Sequence, residues 1–331
     1  MTYSSGSLIQ STDYNGFVST NSPNVNATWN TTWGQTALTT VSPGGTVSAQ
    51  QWSSLNSTIS TMASQTGTTL STPARTSPTA GSTITILNNL NTDITNCYNN
   101  RYNAVASGSQ FIGWTGTASQ TAVTGHAATS WTITFTSTVT FANSTAATSF
   151  FGAGGLVKIQ FNKSGGSFPA DASWNTLAST LCGTIYLSST GASKTINSGT
   201  YTGTTKVGGS GTPTTLTTAT GYAQLTSSPT TIYQQFGNAS PYTGEYIAVA
   251  ASTTSTVLTL TTTWFSPARA VIGTSNEISG GTGTSAGSIT FNGAPTTLVT
   301  YIPPRDTGGG GYLTNTWGTP TIVSSVSAPT Y

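Results

Sequence analysis

WTITFTSTVTF (131–141), ANSTAATSFFGAGG (142–155) and LVKIQF (156–161) together decide the fold. In the first block Trp131, Ile133, Phe135, Val139 and Phe141 alternate with Thr and Ser, so an extended chain there has one apolar face and one hydroxyl-rich face. Val157, Ile159 and Phe161 repeat the pattern in the third block. The middle block carries the glycine cluster Gly152-Ala153-Gly154-Gly155, which has two readings. A phosphate-binding loop needs Gly-x-x-x-x-Gly-Lys-Ser/Thr opening a helix; here Lys158 falls inside a strand alternation instead. The expectation is therefore a β-hairpin turning back between Phe141 and Leu156, with glycine supplying the positive φ of the turn.

Downstream, strand candidates recur at hairpin spacing: Ile185–Leu187, Thr215–Leu225, Thr230–Phe236, Tyr246–Ala250, Val257–Trp264, Ile289–Phe291 and Leu298–Ile302. Joints such as Gly208–Pro213 and Gly280–Gly283 separate them. Many short strands linked by turns predict an antiparallel β-sandwich body over residues 108–305. One helix interrupts it, with Asp171 as its N-cap, Trp174, Leu177, Ala178 and Leu181 on its apolar face and Gly183 ending it. The tail 306–331, with Trp317, Ile322, Val323 and Val326, reads as a late strand that completes the sandwich or reaches a neighbouring subunit.

Upstream, the period changes to that of a helix. Ser48-Ala-Gln-Gln51 is a capping box, and Trp52, Leu55, Ile59 and Met62 follow at spacings of three and four before Gly67. A second run holds Ile86, Leu87, Leu90, Ile94, Cys97, Tyr98 and Val105, and Pro73 and Pro78 between the runs favour a packed pair over one rod. Region 1–107 is thus a small α-helical N-terminal region on a mainly β chain, and residues 46–106 are the expected assembly and docking module, separable from the body by a cut near Ser107. Tyr14, Trp29 and Trp33, set among Asn and Thr, read as loops with a short strand.

Composition narrows the function classes. Only 4% of the 331 residues are charged, 8 Lys+Arg against 6 Asp+Glu, while 8 Trp, 13 Tyr and 11 Phe accompany abundant Val, Ile and Thr. Such aromatic and β-branched content belongs to a folded chain. A net charge of +2 gives no footprint for nucleic acid, and no apolar run reaches the length that spans a bilayer. Met1–Gln10 lacks the basic and apolar regions of a secretory signal. Cys97 and Cys182 are expected as buried free thiols, with a single disulfide as the alternative.

Few residues can carry chemistry. His126 is the only histidine, in a loop-like setting, so no histidine metal cluster is expected, and no cofactor. The carboxylates are Asp13, Asp93, Asp171, Glu245, Glu277 and Asp306; a polysaccharide depolymerase would need two of them at a set separation, with Glu245 the one to test. Trp29, Trp33, Trp114 and Trp317 are candidates for stacking on sugar rings or on a partner, whereas Trp131 and Trp264 sit at strand-periodic positions and belong to the core.

Four stretches carry a resemblance. DYNGFVSTNSPNVNATWNTTWGQTALTTVSPGGTVSAQQWSSLNSTI, TVTFANSTAATSFFGAGGLVKIQF, YTGTTKVGGSGTPTTLTTATGYAQLTSSPTTIYQQF and LTNTWGTPTIVSSV resemble structural virion proteins of tailed bacteriophages, especially contractile-tailed phages of aquatic bacteria. The resemblance spans most of the chain. It implies a virion location in the tail, as a fibre, baseplate or neck-attached component, made in the host cytoplasm and released by lysis. The implied partners are copies of itself and other virion proteins, and no catalytic residues carry over. The alternative is a receptor- or carbohydrate-binding adhesin of the virion that touches host surface glycan. A capsid decoration protein, an extracellular surface-layer subunit and a depolymerase stand behind it.

Overall fold

The computed structural model describes residues 10–71, 87–103, 115–121, 126–128, 130–167, 169–196, 199–240, 242–267 and 289–330. Trp114, Glu277, Pro73, Pro78 and the side chains of Leu87 and His126 lie outside the described residues.

Among the described residues the five α-helices are α1 (Ser11–Val18), α2 (Ala49–Thr66), α3 (Leu87–Asn99), α4 (Ser144–Gly152) and α5 (Pro169–Thr176). The strands run β1 (Thr115–Thr121), β2 (His126–Ala128), β3 (Trp131–Thr140), β4 (Leu156–Ser164), β5 (Thr184–Leu187), β6 (Lys194–Ile196), β7 (Gly199–Tyr201) and β8 (Thr204–Val207). They continue as β9 (Thr215–Leu216), β10 (Thr230–Phe236), β11 (Tyr246–Thr253), β12 (Val257–Ser266), β13 (Ile289–Phe291), β14 (Ala294–Ile302) and β15 (Thr321–Val326). A five-stranded sheet has the order β1-β14-β4-β5-β8 and a six-stranded sheet the order β15-β3-β12-β11-β10-β9. The neighbours in both sheets pair antiparallel.

The expected mainly β, antiparallel architecture with a few helices is present, and side chains join the two sheets. Phe161 of β4 stacks on Tyr233 of β10 with ring centroids 6.1 Å apart. Trp264 of β12 donates its indole N–H to the Thr297 hydroxyl of β14 at 3.4 Å. At one side of the sandwich β1 lies against β15, and at the other β8 lies against β9. Along β3 and β12 buried and half-buried positions alternate, as the period of two requires.

The stretch 142–155 corrects the hairpin reading. Asn143 caps α4, its Oδ1 accepting from the Ala146 N–H at 2.8 Å, and Ala146, Ala147, Phe150 and Phe151 bury one face of that helix. β3 and β4 belong to different sheets, so this block is a helical crossover over the core. Glycine is required at its end by space: a Cβ on Gly152 would overlap the Thr32 carbonyl oxygen, and one on Gly155 the ring of Phe150.

Near the N-terminus the expected loops are helical. Gln10 and Asp13 form a capping box at the start of α1, and a π-helical turn covers Ala27–Thr32. Tyr14, Phe17 and Val18 bury one side of α1, with Tyr14 edge-on to Trp52 at 5.5 Å. The Ser48–Gln51 capping box and the left-handed Gly67 (φ 65°) bound α2 as the sequence predicts. Helix α3 ends at Asn99, and Ile86 and Val105 of that run lie outside the described residues. Two further boundaries differ: α5 begins at Pro169, so Asp171 lies in its first turn instead of capping it, and only Thr215–Leu216 of the stretch 215–225 pairs as a strand.

One buried cluster contains Tyr14, Trp33, Trp52, Leu55, Ile59, Leu90 and Ile94 together with β-body residues and Trp317 of the tail. The apolar faces of α2 and α3 are therefore covered within the chain. The tail strand β15 pairs with β3 and completes the six-stranded sheet. Cys97 and Cys182 are both buried thiols outside any disulfide, as expected.

Candidate functional site

Three features gather the residues that could act: a buried ionic cluster and two surface clefts. The cluster forms where β4 leaves its sheet. Val157, Ile159, Phe161 and Lys163 share one strand face by their odd numbering, which carries the Lys163 ammonium inward with the apolar residues. Gly165 and Gly166 then turn the chain through left-handed conformations (φ 75° and 84°), and α5 brings Asp171 back onto Lys163. Lys163 Nζ lies 3.3 Å from Asp171 Oδ1, and both side chains are 0% exposed. A Cβ on Gly166 would occupy the space of the Asp171 carboxylate, so glycine is what lets the two segments close.

Lys163 also donates to the Gly165 carbonyl at 3.0 Å and the Asn175 side-chain oxygen at 3.4 Å. Asp171 Oδ1 accepts the Asn292 backbone N–H at 2.8 Å, tying in the segment before β14. Glu245, just before β11, is 0% exposed and accepts from Ser173 Oγ at 3.1 Å. Burial pulls the proton affinity of Lys163 down, while the charges of Asp171 and Glu245 push it back up. Lys163 of β4 thus reaches Asp171 on α5, and Ser173 of the same helix reaches Glu245 ahead of β11, so α5 links the five-stranded sheet to the six-stranded one through buried polar groups.

The other carboxylates described have local duties. Asp13 accepts from the Gln10 N–H at 2.8 Å at the start of α1, and the buried Asp93 of α3 accepts from the Ser71 N–H at 2.7 Å. Asp306 lines the second cleft below.

The first cleft, about 520 Å³, lies between the N-terminal segment, α2 and the tail. Trp29 and Leu38 give it apolar wall, while Gln50, Ser54, Ser57 and Thr316 supply amide and hydroxyl groups. Trp29 is half-buried, donates its indole N–H to the Thr36 carbonyl at 2.9 Å and meets Trp33 edge-on at 6.3 Å. One aromatic face beside uncharged polar groups is the composition that fits a neutral, hydroxyl-bearing ligand.

The second cleft, about 490 Å³, lies at the side where β1 meets β15. Tyr301, Pro303, Pro304, Trp317, Pro320 and Ile322 line it. The segment Thr314–Trp317 is the wall between the clefts, with Thr314 and Thr316 on the first and Asn315 and Trp317 on the second.

Of the tryptophans nominated for stacking, Trp33 and Trp317 are 0% and 1% exposed and do not present a ring face to solvent. Trp33 is fixed from within, donating its indole N–H to the Arg101 carbonyl at 2.9 Å. Trp29 alone of those described reaches a cleft while keeping some exposure. Trp131 and Trp264 pack on Trp174 at 5.0 and 5.5 Å in the core, where their spacing places them.

Lys163 was not among the residues singled out from the sequence, although a signal was present: it falls in register with the apolar face of β4. Gln35 carried no such signal. Its side chain bridges the chain ends, donating to the Thr314 carbonyl at 3.0 Å and accepting the Thr314 N–H at 2.9 Å. No pattern in a single sequence couples positions so far apart. No protein-family model, no curated protein and no solved structure matches the chain.

Proposed function

We propose that the chain is a structural subunit of a tailed-phage virion, associated with the tail, which assembles with copies of itself and other virion proteins and presents a hydroxyl-rich surface. The observation that carries this reading is the placement of charge. Asp171 and Glu245, two carboxylates a hydrolase could draw on, are fully buried as partners of Lys163 and Ser173, out of reach of a polymer substrate. Outward-facing strand positions carry Thr, Ser and an occasional apolar residue instead, as Thr321, Val323 and Ser325 do on β15. A surface of this kind associates through shape and apolar fit, which salt screens little. Mass spectrometry of purified particles, followed by cryo-electron microscopy to locate the two-sheet body, tests it. Absence of the chain from every particle fraction refutes it.

The cleft beside Trp29 favours a second reading, a carbohydrate-binding adhesin on the same virion. Binding on a glycan array, lost on Trp29→Ala and kept on Val323→Ala, supports that role; binding indifferent to Trp29→Ala removes it.

A further inference from the structure

We propose that Lys163 and Asp171 join in an intramolecular isopeptide bond, with Glu245 carrying the protons. The geometry is that of a reaction waiting on proton transfer. Nucleophile and acyl group are held at 3.3 Å between Nζ and Oδ1, both without solvent contact. Oδ1 is polarised by the Asn292 N–H at 2.8 Å, so it is the oxygen that stays as the amide carbonyl while Oδ2 leaves. Glu245 is buried, its charge acts on Lys163, and Ser173 Oγ anchors it at 3.1 Å two residues along from Asp171.

The step balances without an outside reagent. The ammonium gives one proton to Glu245 and becomes an amine; Nζ attacks Cγ of Asp171 and the C–N bond forms. The Cγ–Oδ2 bond then breaks. The two protons lost by Nζ end on Oδ2, which departs as water, and Glu245 returns to a carboxylate. Burial supplies the driving force, because a neutral amide replaces two charges whose desolvation is costly in the interior. Fixed proximity supplies the rate. Burial also weakens the hold of Lys163 on its proton, in the direction the attack needs.

Asn175 is the competing acceptor, its Oδ1 3.4 Å from Nζ. It is half-buried, and its product would release ammonia. A plain ion pair that only braces the sheets is the simpler alternative.

Intact-mass spectrometry of the full-length protein, denatured after folding, decides among these. The expected mass is one water below that of the sequence, with peptide mapping placing the link between Lys163 and Asp171. Lys163→Met and Asp171→Ala should each restore the full mass. Glu245→Gln should slow formation roughly a hundredfold or more, with Glu245→Asp recovering part of the rate. An unmodified wild-type mass after prolonged incubation overturns the proposal, and needs no variant to fold. A loss of ammonia mapped to Asn175, or of water mapped elsewhere, overturns it too. None of these outcomes depends on where the protein resides.

Discussion

Replacing Gln35 by Ala should loosen both ends of the chain at once. Gln35 is 3% exposed, and its amide bonds the Thr314 peptide group in both directions while also reaching the Trp33 carbonyl at 3.0 Å. The two bonds to Thr314 are the sum to evaluate. Each is worth about 1 kcal/mol net, and orphaning a buried peptide group adds about 1–3 kcal/mol more. The Thr314 side chain is exposed, so water reaches that peptide once the amide is gone, and the low end applies. The expected loss is about 3 kcal/mol, a fall in Tm of roughly 4–6 °C for a chain of this size. Gln35→Glu should cost more at neutral pH, because a carboxylate faces the Trp33 and Thr314 carbonyls in place of an N–H donor. Burial and those carbonyls raise its folded-state pKa above the unfolded value. The stability retained by the acid form is therefore present below the unfolded pKa and lost as pH rises through the folded one. Differential scanning calorimetry of both variants, with Gln50→Ala on the rim of the same cleft as control, measures this. Equal, negligible shifts for Gln35→Ala and Gln50→Ala would refute the argument.

Gly152→Ala should lower Tm by the equivalent of about 1–3 kcal/mol, since its Cβ meets the Thr32 carbonyl, whereas Gly44→Ala, on the same assay, loses only the strain of its positive φ because nothing lies within 4 Å. Lys194, whose pKa burial holds down to about 8 against an ordinary 10.5, binds fewer protons folded than unfolded between those values. Wild-type Tm should therefore rise relative to Lys194→Met as pH goes from about 8 to about 10, and a difference flat with pH refutes the assignment.

Much of the body was legible because period two is a local signal. Trp131–Phe141 and Val157–Phe161 name both their strands and their buried faces, and burial along β3 and β4 follows. The capping box at Ser48 and the glycine at 67 name α2 for the same reason: the interactions span three or four residues. What failed is instructive in the same terms. The glycines at 152–155 look like a turn, but Asn143 and the apolar spacing Ala146, Ala147, Phe150 and Phe151 had already written a helix there. Glycine meant close packing on Thr32 and Phe150. Similarly, α1 was hidden because its apolar residues Tyr14, Phe17 and Val18 are few, and the helix is held by packing on Trp52. The candidate site was legible only in part. Trp29 could be named from its type, yet the burial of Trp33 and Trp317 depends on segments far away in sequence, as does the placing of Glu245 against Ser173 of α5. The separation into a docking module and a body followed from the change of period near residue 107. Hydrogen bonds also cross these bounds: Thr195 N–H to Asn103 Oδ1 at 3.1 Å ties the N-terminal region to the body, and Gln35 to Thr314 ties it to the tail.

The scarcity of carboxylates sets a problem for the lysines, and the fold answers it with backbone. Lys194 is 1% exposed and donates to the Thr190 and Ala192 carbonyls at 3.0 and 3.3 Å and to Ser189 Oγ at 3.2 Å. Lys206 reaches the Gly209 and Gly211 carbonyls at 2.9 and 2.6 Å, and Lys163 reaches that of Gly165. In each case the chain turns within five residues of the lysine, so its carbonyls converge on the ammonium from nearby. A carbonyl is a weaker partner than a carboxylate, so burial pulls the proton affinity of Lys194 and Lys206 down. It has one advantage for a loop-rich sandwich: the lysine fixes the turn as the turn satisfies the lysine. Serine- and glycine-rich connections such as Ser189–Ala192 and Gly208–Gly211, which by composition would be slack, gain a clamp at their centre.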